Sequence, residues 1–353
     1  MTDGRQSDPW KRTRPRRRFD VALAGYYGFG NLGDELLAAA LIRNLELLGI
    51  PRERMVLLSA DPSRSKEEFG VACVQRWSLA ALWATFRESE TLLLGGGGLF
   101  QDATSLRSCL YYWAVVRLAA RAGCRPWAFG QSVGPFRRST AARLTKNALR
   151  LCVYRGVRDE PSLELLHAWN LEGTLVPDPV LSLDVRKCSG EEALLVNLRP
   201  WRNDLPLRAA RACAELARAY SLPVVGVALA REDEDLLASF SAQGILPCRH
   251  ILRVRSLSDA SGAWCAGRFA VGMRLHFVML SAMFCRAVTA IPYDPKVEAF
   301  ARSRDMACWY GEGEIPFPEP CRCGTKSGAA EVTARLEEAW SLLGVKSGDG
   351  RPM

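Results

Sequence analysis

Residues 19–24, Phe-Asp-Val-Ala-Leu-Ala, form a short apolar run that breaks into Gly25-Tyr26-Tyr27-Gly28-Phe29-Gly30-Asn31-Leu32-Gly33-Asp34-Glu35, after which residues 36–48 read as a helix. A buried strand, a glycine-rich turn and a helix, in that order, open a doubly wound α/β domain. The same alternation continues. Strands are expected at 55–59, 91–94 and 126–129, and helices at 79–87 and 110–122. Each predicted strand ends in a glycine or polar loop, where open α/β sheets place ligands. The strand at 91–94 runs into Gly95-Gly96-Gly97-Gly98-Leu99-Phe100-Gln101-Asp102. Four consecutive glycines cost backbone entropy and are expected where a ligand needs backbone N–H groups. The turns Gly130-Gln131-Ser132-Val133-Gly134-Pro135 and Gly156-Val157-Arg158-Asp159-Glu160 close the remaining strands.

Val176-Pro177-Asp178-Pro179 reads as the exit from this unit and residues 184–192 as a polar linker, after which the alternation restarts. Strands are expected at 193–198, 223–228, 268–271 and 287–291, and helices at 209–220 and 232–240 with a last one at 329–343. The organisation expected is therefore a disordered basic arm at 1–18, an N-terminal α/β domain at 19–184 and a C-terminal one at 185–345. Both would be Rossmann-like, doubly wound and facing a cleft. At 353 residues, two domains are also the prior from length.

The segment Val271-Gly272-Met273-Arg274-Leu275-His276, followed by the apolar run 277–284, places Arg274 and His276 on a strand-to-helix turn. Free N–H groups and the helix dipole favour an anion there. Arg supplies a fixed fork of donors for carboxylate or phosphate, and His exchanges a proton near neutral pH. A core His beside a surface Arg would give the same spacing. Arg199, Arg274 and Lys296 all fall just past strand ends, which suggests one anionic pocket. In the first domain, Asp34 and Glu35 occupy the helix start and would repel phosphate. The loop around Gly30, Asn31 and Gly33 is expected to address sugar hydroxyls with Asp34 as a base, unless the two acids only cap the helix.

The formal net charge of +9 is concentrated partly in Lys11-Arg12-Thr13-Arg14-Pro15-Arg16-Arg17-Arg18. That arm is expected either to make peripheral contact with an anionic membrane or to be a solvated tail. No nucleic-acid motif accompanies it. No apolar run approaches the roughly 20 residues that span a bilayer, and no signal peptide is read, so the expected location is cytoplasmic. The twelve cysteines are scattered singly, which fits reduced, buried thiols. Cys321 and Cys323 lack a CxxC partner or nearby His, and no metal site is expected.

Taken together, the glycine loop 25–35, residues 95–102, the 130–135 turn, Val157-Arg158-Asp159, Asp178-Pro179, Arg199-Pro200-Trp201, Gly272-Met273-Arg274-Leu275-His276 and Tyr293-Asp294-Pro295-Lys296-Val297 resemble the polysaccharide pyruvyltransferase family, most closely its CsaB type. Eight motifs appear in family order across residues 19 to 300. The resemblance implies a GT-B-like fold. It also implies transfer of a pyruvyl group from phosphoenolpyruvate to two hydroxyls of a sugar, without a further cofactor. The implied acceptor is a lipid-linked or polymeric amino sugar, N-acetylmannosamine in CsaB-type members, whose ketal anchors S-layer proteins. By resemblance, Arg199, Arg274 and His276 bind phosphoenolpyruvate, with His276 as general acid. Asp34 or Asp102 would take the acceptor's proton. Gly96, Gly97, Gly98, Gln131, Arg158 and Lys296 complete the expected substrate contacts. A glycosyltransferase of the same architecture with a nucleotide-sugar donor is the alternative, with Glu298 as a weak candidate for holding the donor ribose.

Overall fold

A computed structural model describes residues 17–102, 106–185, 188–321 and 325–345. The first sheet arises from β1 (Phe19–Ala24), α1 (Leu32–Leu47), β2 (Met55–Ser59), α2 (Pro62–Phe69), β3 (Ala72–Gln75), α3 (Leu79–Arg87), β4 (Ser89–Phe100), α4 (Leu106–Arg121), β5 (Arg125–Val133), α5 (Ser139–Leu149), β6 (Arg155–Val157), α6 (Glu160–Ala168) and β7 (Thr174–Leu175). Its strands are all parallel, in the order β3-β2-β1-β4-β5-β6-β7. The order reverses between β1, whose following loop carries the first glycine-rich stretch, and β4, which contains the second. Strands buried on both faces need near-continuous apolar runs, and β1 is buried at all six positions.

The second sheet is built from β8 (Leu194–Asn197), α7 (Leu205–Ala219), β9 (Val224–Ala228), α8 (Arg231–Ala242), β10 (His250–Arg253), α9 (Leu257–Cys265), β11 (Phe269–Gly272), α10 (Leu275–Met283), β12 (Ala287–Ala290), α11 (Pro295–Ser303), β13 (Ala307–Cys308) and β14 (Glu319–Pro320). Its parallel strands run β10-β9-β8-β11-β12-β13, with β14 antiparallel against β12. Here the switch lies between β8 and β11, which lead to Arg199 and Arg274. The two switch points therefore carry the residues singled out from sequence, as open α/β sheets require.

Several expectations are corrected. The four glycines lie within β4, which pairs with β5 out to Phe100 through a register shift between Gly97 and Phe100. Gly96 and Gly97 take φ of +76° and +82°, which only glycine adopts without strain. The last helix, α12 (Thr325–Leu343), does not close the second domain. Its Val332, Leu336, Ala339 and Trp340 pack into the first domain's core against α1 and β5, with Trp340 against Trp127 at 6.2 Å between rings. Thr333 donates to Asn44 at 2.9 Å. Cys188 and Cys265 form a disulfide between the linker and the end of α9, so not every thiol is free. Of the arm expected at 1–18, residues 1–16 lie outside the described residues. Arg17 is docked: its guanidinium donates to the carbonyls of Phe86, Ser89 and Ala122.

The return of α12 makes a large aromatic contact accountable for part of the first domain's stability. Trp340→Ala is expected to lower unfolding free energy by about 3–5 kcal/mol, read from chemical denaturation followed by circular dichroism.

Candidate active site

The N-terminal turn of α1 is where the domains touch. Leu32 N–H donates to Leu229 C=O at 3.0 Å, and Arg253 donates to Gly30 C=O at 3.0 Å. Leu32, Leu36, Leu37 and Ala40 of α1 are buried among Val227, Leu229, Leu275 and Val278 of the second domain. Gly33 faces the His276 ring so closely that a Cβ there would lie 2.1 Å from Nδ1. Gly33 thus makes room for His276 rather than for a ligand.

His276 sits in the first turn of α10. Its Nε2 lies 3.9 Å from Asp178 Oδ2 and is buried without a hydrogen-bond partner among the described residues. Asp178 is ion-paired with Arg158, and its other oxygen accepts from Val180 N–H at 2.9 Å. Arg158 Nε donates to Ser132 Oγ at 2.8 Å, and that hydroxyl donates to Asp159 at 2.6 Å. Asp178-Pro179 and Val157-Arg158-Asp159, separate motifs in the chain, therefore converge behind one imidazole. Burial, reinforced by Arg158, Lys296 and Arg274 and opposed by Asp178, lowers the His276 pKa to about 4. Without an anion beside it the imidazole is held toward its neutral form, so the general-acid role implied by the resemblance depends on the charge of a bound anion. A protonated ring needs an added anion.

Arg274 is also differently engaged than expected. Its Nε and Nη2 bind both oxygens of Asp233 at 2.6 and 2.7 Å, and Nη2 reaches Glu232 at 2.8 Å. Asp233 in turn accepts from the N–H groups of Leu229 and Ala230, so the pair joins the start of α8 to the turn before α10. Arg274 N–H donates to Asn197 at 3.0 Å. The guanidinium is thus a brace already neutralised by two carboxylates. Arg199 is the less committed cation. It donates to the Tyr293 hydroxyl at 2.9 Å, lies over the rings of Trp201 and Tyr293, pairs with no carboxylate among the described residues, and leaves a buried Nε without a partner.

From the first domain, Asp34 reaches toward the glycine strand: a Cβ on Gly97 would lie 3.3 Å from its Oδ1. A Cβ on Gly98 would lie 3.8 Å from Lys296 Nζ, and Lys296 is 3.4 Å from Asp294. Asn31 donates to Asp34. Burial raises the Asp34 pKa to about 6 against the charges of Lys296, Arg158 and Arg274. A carboxylate poised near neutrality in a cleft is suited to accept a proton. Gly96 packs on Leu37, and Gln131 is buried with its amide on Leu94 C=O at 3.0 Å. Both shape the floor of the site from beneath.

Asp102 does not join this cluster. Its oxygens accept from the N–H groups of Arg137 at 2.6 Å and Arg138 at 3.0 Å, so it holds the turn before α5 and is no candidate base. Glu35 does not cap its helix end simply. It bends back to accept from Gly28 and Gly30 at 3.0 and 3.2 Å, fixing the glycine loop. Sequence reading gave no role to Glu232, Asp233 or Tyr293. The acidic run 232–235 directly after a strand end was the available signal. Two cavities of about 440 and 420 Å³ flank the cluster and share Asp159 and Lys296. Among the described residues, no three His, Cys, Asp or Glu side chains come together to hold a metal ion. Among the described residues, no helix is long and apolar enough to cross a membrane.

Two facing Rossmann-like sheets with a polar cluster between their switch points define a two-domain GT-B-like protein. Solved structures agree on the fold. UDP-GlcNAc 2-epimerase from Methanocaldococcus jannaschii, in complex with UDP-GlcNAc and UDP, is 10% identical with a TM-score of 0.58, covering 91% of this chain and 99% of that one. The Neisseria meningitidis epimerase is 9% identical, with a TM-score of 0.53 and coverage of 93% and 95%. A glycosyltransferase from Rickettsia africae is 9% identical, with a TM-score of 0.51 and coverage of 93% and 89%. No curated protein matches the sequence. The family model for polysaccharide pyruvyl transferase matches residues 31–295, and the chain belongs to that family.

Two outcomes follow from the geometry. Gly33→Ala is expected to push His276 from its place and cost about 1–3 kcal/mol of stability, measurable by urea unfolding. For Glu35, burial and the nearby Glu68 charge raise the pKa to about 7. The folded state therefore holds its proton more tightly than the unfolded state, and this contribution is lost as pH rises through 7. Glu35→Gln is expected to raise stability at pH 8 by up to about 2 kcal/mol and change it little at pH 4. Melting curves at the two pH values read the difference.

Proposed function

We propose that this protein transfers the pyruvyl unit of phosphoenolpyruvate to two hydroxyls of one sugar, forming a ketal and releasing inorganic phosphate. The observation that carries this reading is the His276 Nε2, buried without a partner amid Arg158, Lys296 and Arg274. Phosphoenolpyruvate carries a phosphate and a carboxylate. Placed there, its charge opposes the burial and the neighbouring cations that together hold the imidazole neutral, and a proton is taken up on Nε2. His276 delivers that proton to the vinyl carbon. Positive charge then develops on the adjacent carbon that bears the phosphate oxygen and the carboxylate. One sugar hydroxyl attacks this carbon while Asp34 accepts its proton, the C–O bond to phosphate breaks, and a second hydroxyl closes the ring as its proton passes to the now neutral His276 imidazole.

Arg199 and Lys296 are assigned to the donor's anionic groups. Arg274 positions His276 through the turn it braces. The glycine loop and Asp34 face the acceptor, proposed to be an N-acetylmannosamine-containing cell-wall polymer or its lipid-linked precursor. This is the CsaB-type reaction whose product anchors S-layer proteins, placed on the cytoplasmic side. Phosphoenolpyruvate serves as the co-substrate and no other cofactor is invoked.

Phosphate release from phosphoenolpyruvate should depend on an N-acetylmannosaminyl acceptor analogue and yield a ketal by mass spectrometry. His276→Gln is expected to lower turnover by at least about 10²-fold. Calorimetry in buffers of different ionisation enthalpy should show proton uptake on donor binding in the parent protein and none in the variant. Consumption of a nucleotide sugar in place of phosphoenolpyruvate would assign the chain to glycosyl transfer instead. Wild-type turnover in the His276 variant would remove that residue from the mechanism.

A further inference from the structure

On the first domain, α3 and α4 cover the sheet face opposite α12, burying Leu82, Phe86, Tyr112 and Val116 inward. What they turn outward is unusual for a solvated layer. Along α3, Leu79, Trp83 and Arg87 are exposed at i, i+4 and i+8, with Leu79 73% and Trp83 39% accessible. Along α4, Leu110, Ala114 and Arg121 are exposed, and Arg117 lies over the Trp113 ring at 5.1 Å. The helices are neighbours, joined at their cleft ends where Trp77 meets Tyr111 at 5.1 Å between rings. From Trp77 the apolar surface continues to Phe29 at 6.5 Å, which stacks on Tyr26 at 4.0 Å in the glycine loop. Arg76 is buried beneath this strip and held by Gly25 C=O at 2.7 Å.

The charge on this layer has one sign. Residues 69–87 contain no Asp or Glu, and residues 103–158 contain none either, while the latter hold eleven Lys or Arg. The exposed acid nearest in sequence to α3, Glu88, is 3.6 Å from Arg18. Large exposed apolar residues rimmed by charges of one sign mark an interaction surface. Trp and Leu among arginines suit the interface of a bilayer rich in anionic lipid, where rings sit at headgroup depth and cations meet phosphate.

We propose that the α3–α4 face docks this protein on an anionic phospholipid surface. The Trp77–Tyr26 strip then runs from the bilayer to the mouth of the cleft. This does not rest on pyruvyl transfer, nor on the basic arm.

The test is flotation of the full chain with phosphatidylglycerol/phosphatidylcholine vesicles and with phosphatidylcholine vesicles, in about 0.1 M salt, where screening acts beyond about 10 Å. Binding is expected only to the anionic vesicles. Leu79→Ser/Trp83→Ser/Leu110→Ser should weaken it at least about tenfold, and Arg87→Glu/Arg121→Glu should do the same. Removing residues 1–16 should leave binding in place. Matching melting curves establish that each variant is folded, and donor turnover with a water-soluble acceptor should be unchanged by the surface substitutions. Unchanged vesicle binding in both surface variants, or its loss on removing the arm alone, would overturn the proposal. So would absence of vesicle binding together with a dimer that the serine variant dissolves, which would give the face to a second copy. Failure of turnover with intact vesicle binding would instead count against the proposed reaction.

Discussion

The first turn of α1 belongs to two cores at once, and much of the site depends on that sharing. Its apolar side is buried under the second domain, its leading amide donates to Leu229, and its Gly33 is the only residue type that fits beneath the His276 ring. Burying a helix end removes water from everything it carries. Asp34 and Glu35 are consequently shifted upward and His276 downward by the same cause, loss of solvation of the charged form. An acid and a base with pKa values moved toward or past each other are thus a direct result of how the domains pack.

The cations of the cleft follow a second rule. Burying a guanidinium is costly unless it is paired with good geometry, and Arg274 and Arg158 meet that condition with Asp233 and Asp178. Each pair also ties two elements together: α8 to the turn before α10, and β6 to the segment leaving the first domain. Removing one member would strand its partner and loosen a joint. Arg199 stands apart, packed on aromatic rings and hydrogen-bonded to a neutral hydroxyl, so it has capacity left for an incoming anion.

Much of this was readable from the chain. Alternating apolar runs and glycine loops marked both sheets, because parallel strands covered on two faces must be apolar throughout. The strand-to-helix position of Arg274 and His276 was equally plain, and β11 and α10 flank it as expected. What sequence spacing cannot carry is which buried charge meets which. Asp102 looked like a cleft residue because it follows the glycines, yet β4 continues past them and delivers it to Arg137 and Arg138 instead. Arg274 looked free because Asp233 lies 41 positions away. The last helix followed the second sheet in sequence, but its apolar face, including Val332, Leu336 and Trp340, matches a groove on the first.

That return has a mechanical consequence. The chain leaves the first sheet after β7 and comes back between β14 and α12, so the second domain hangs on two crossings rather than one. A body held at a single point can swing in any direction. One held at two can turn only about the line through them, like a door on its pins. Two crossings thus favour one axis over the others, and the ring of His276 rests over the bare patch of backbone at Gly33.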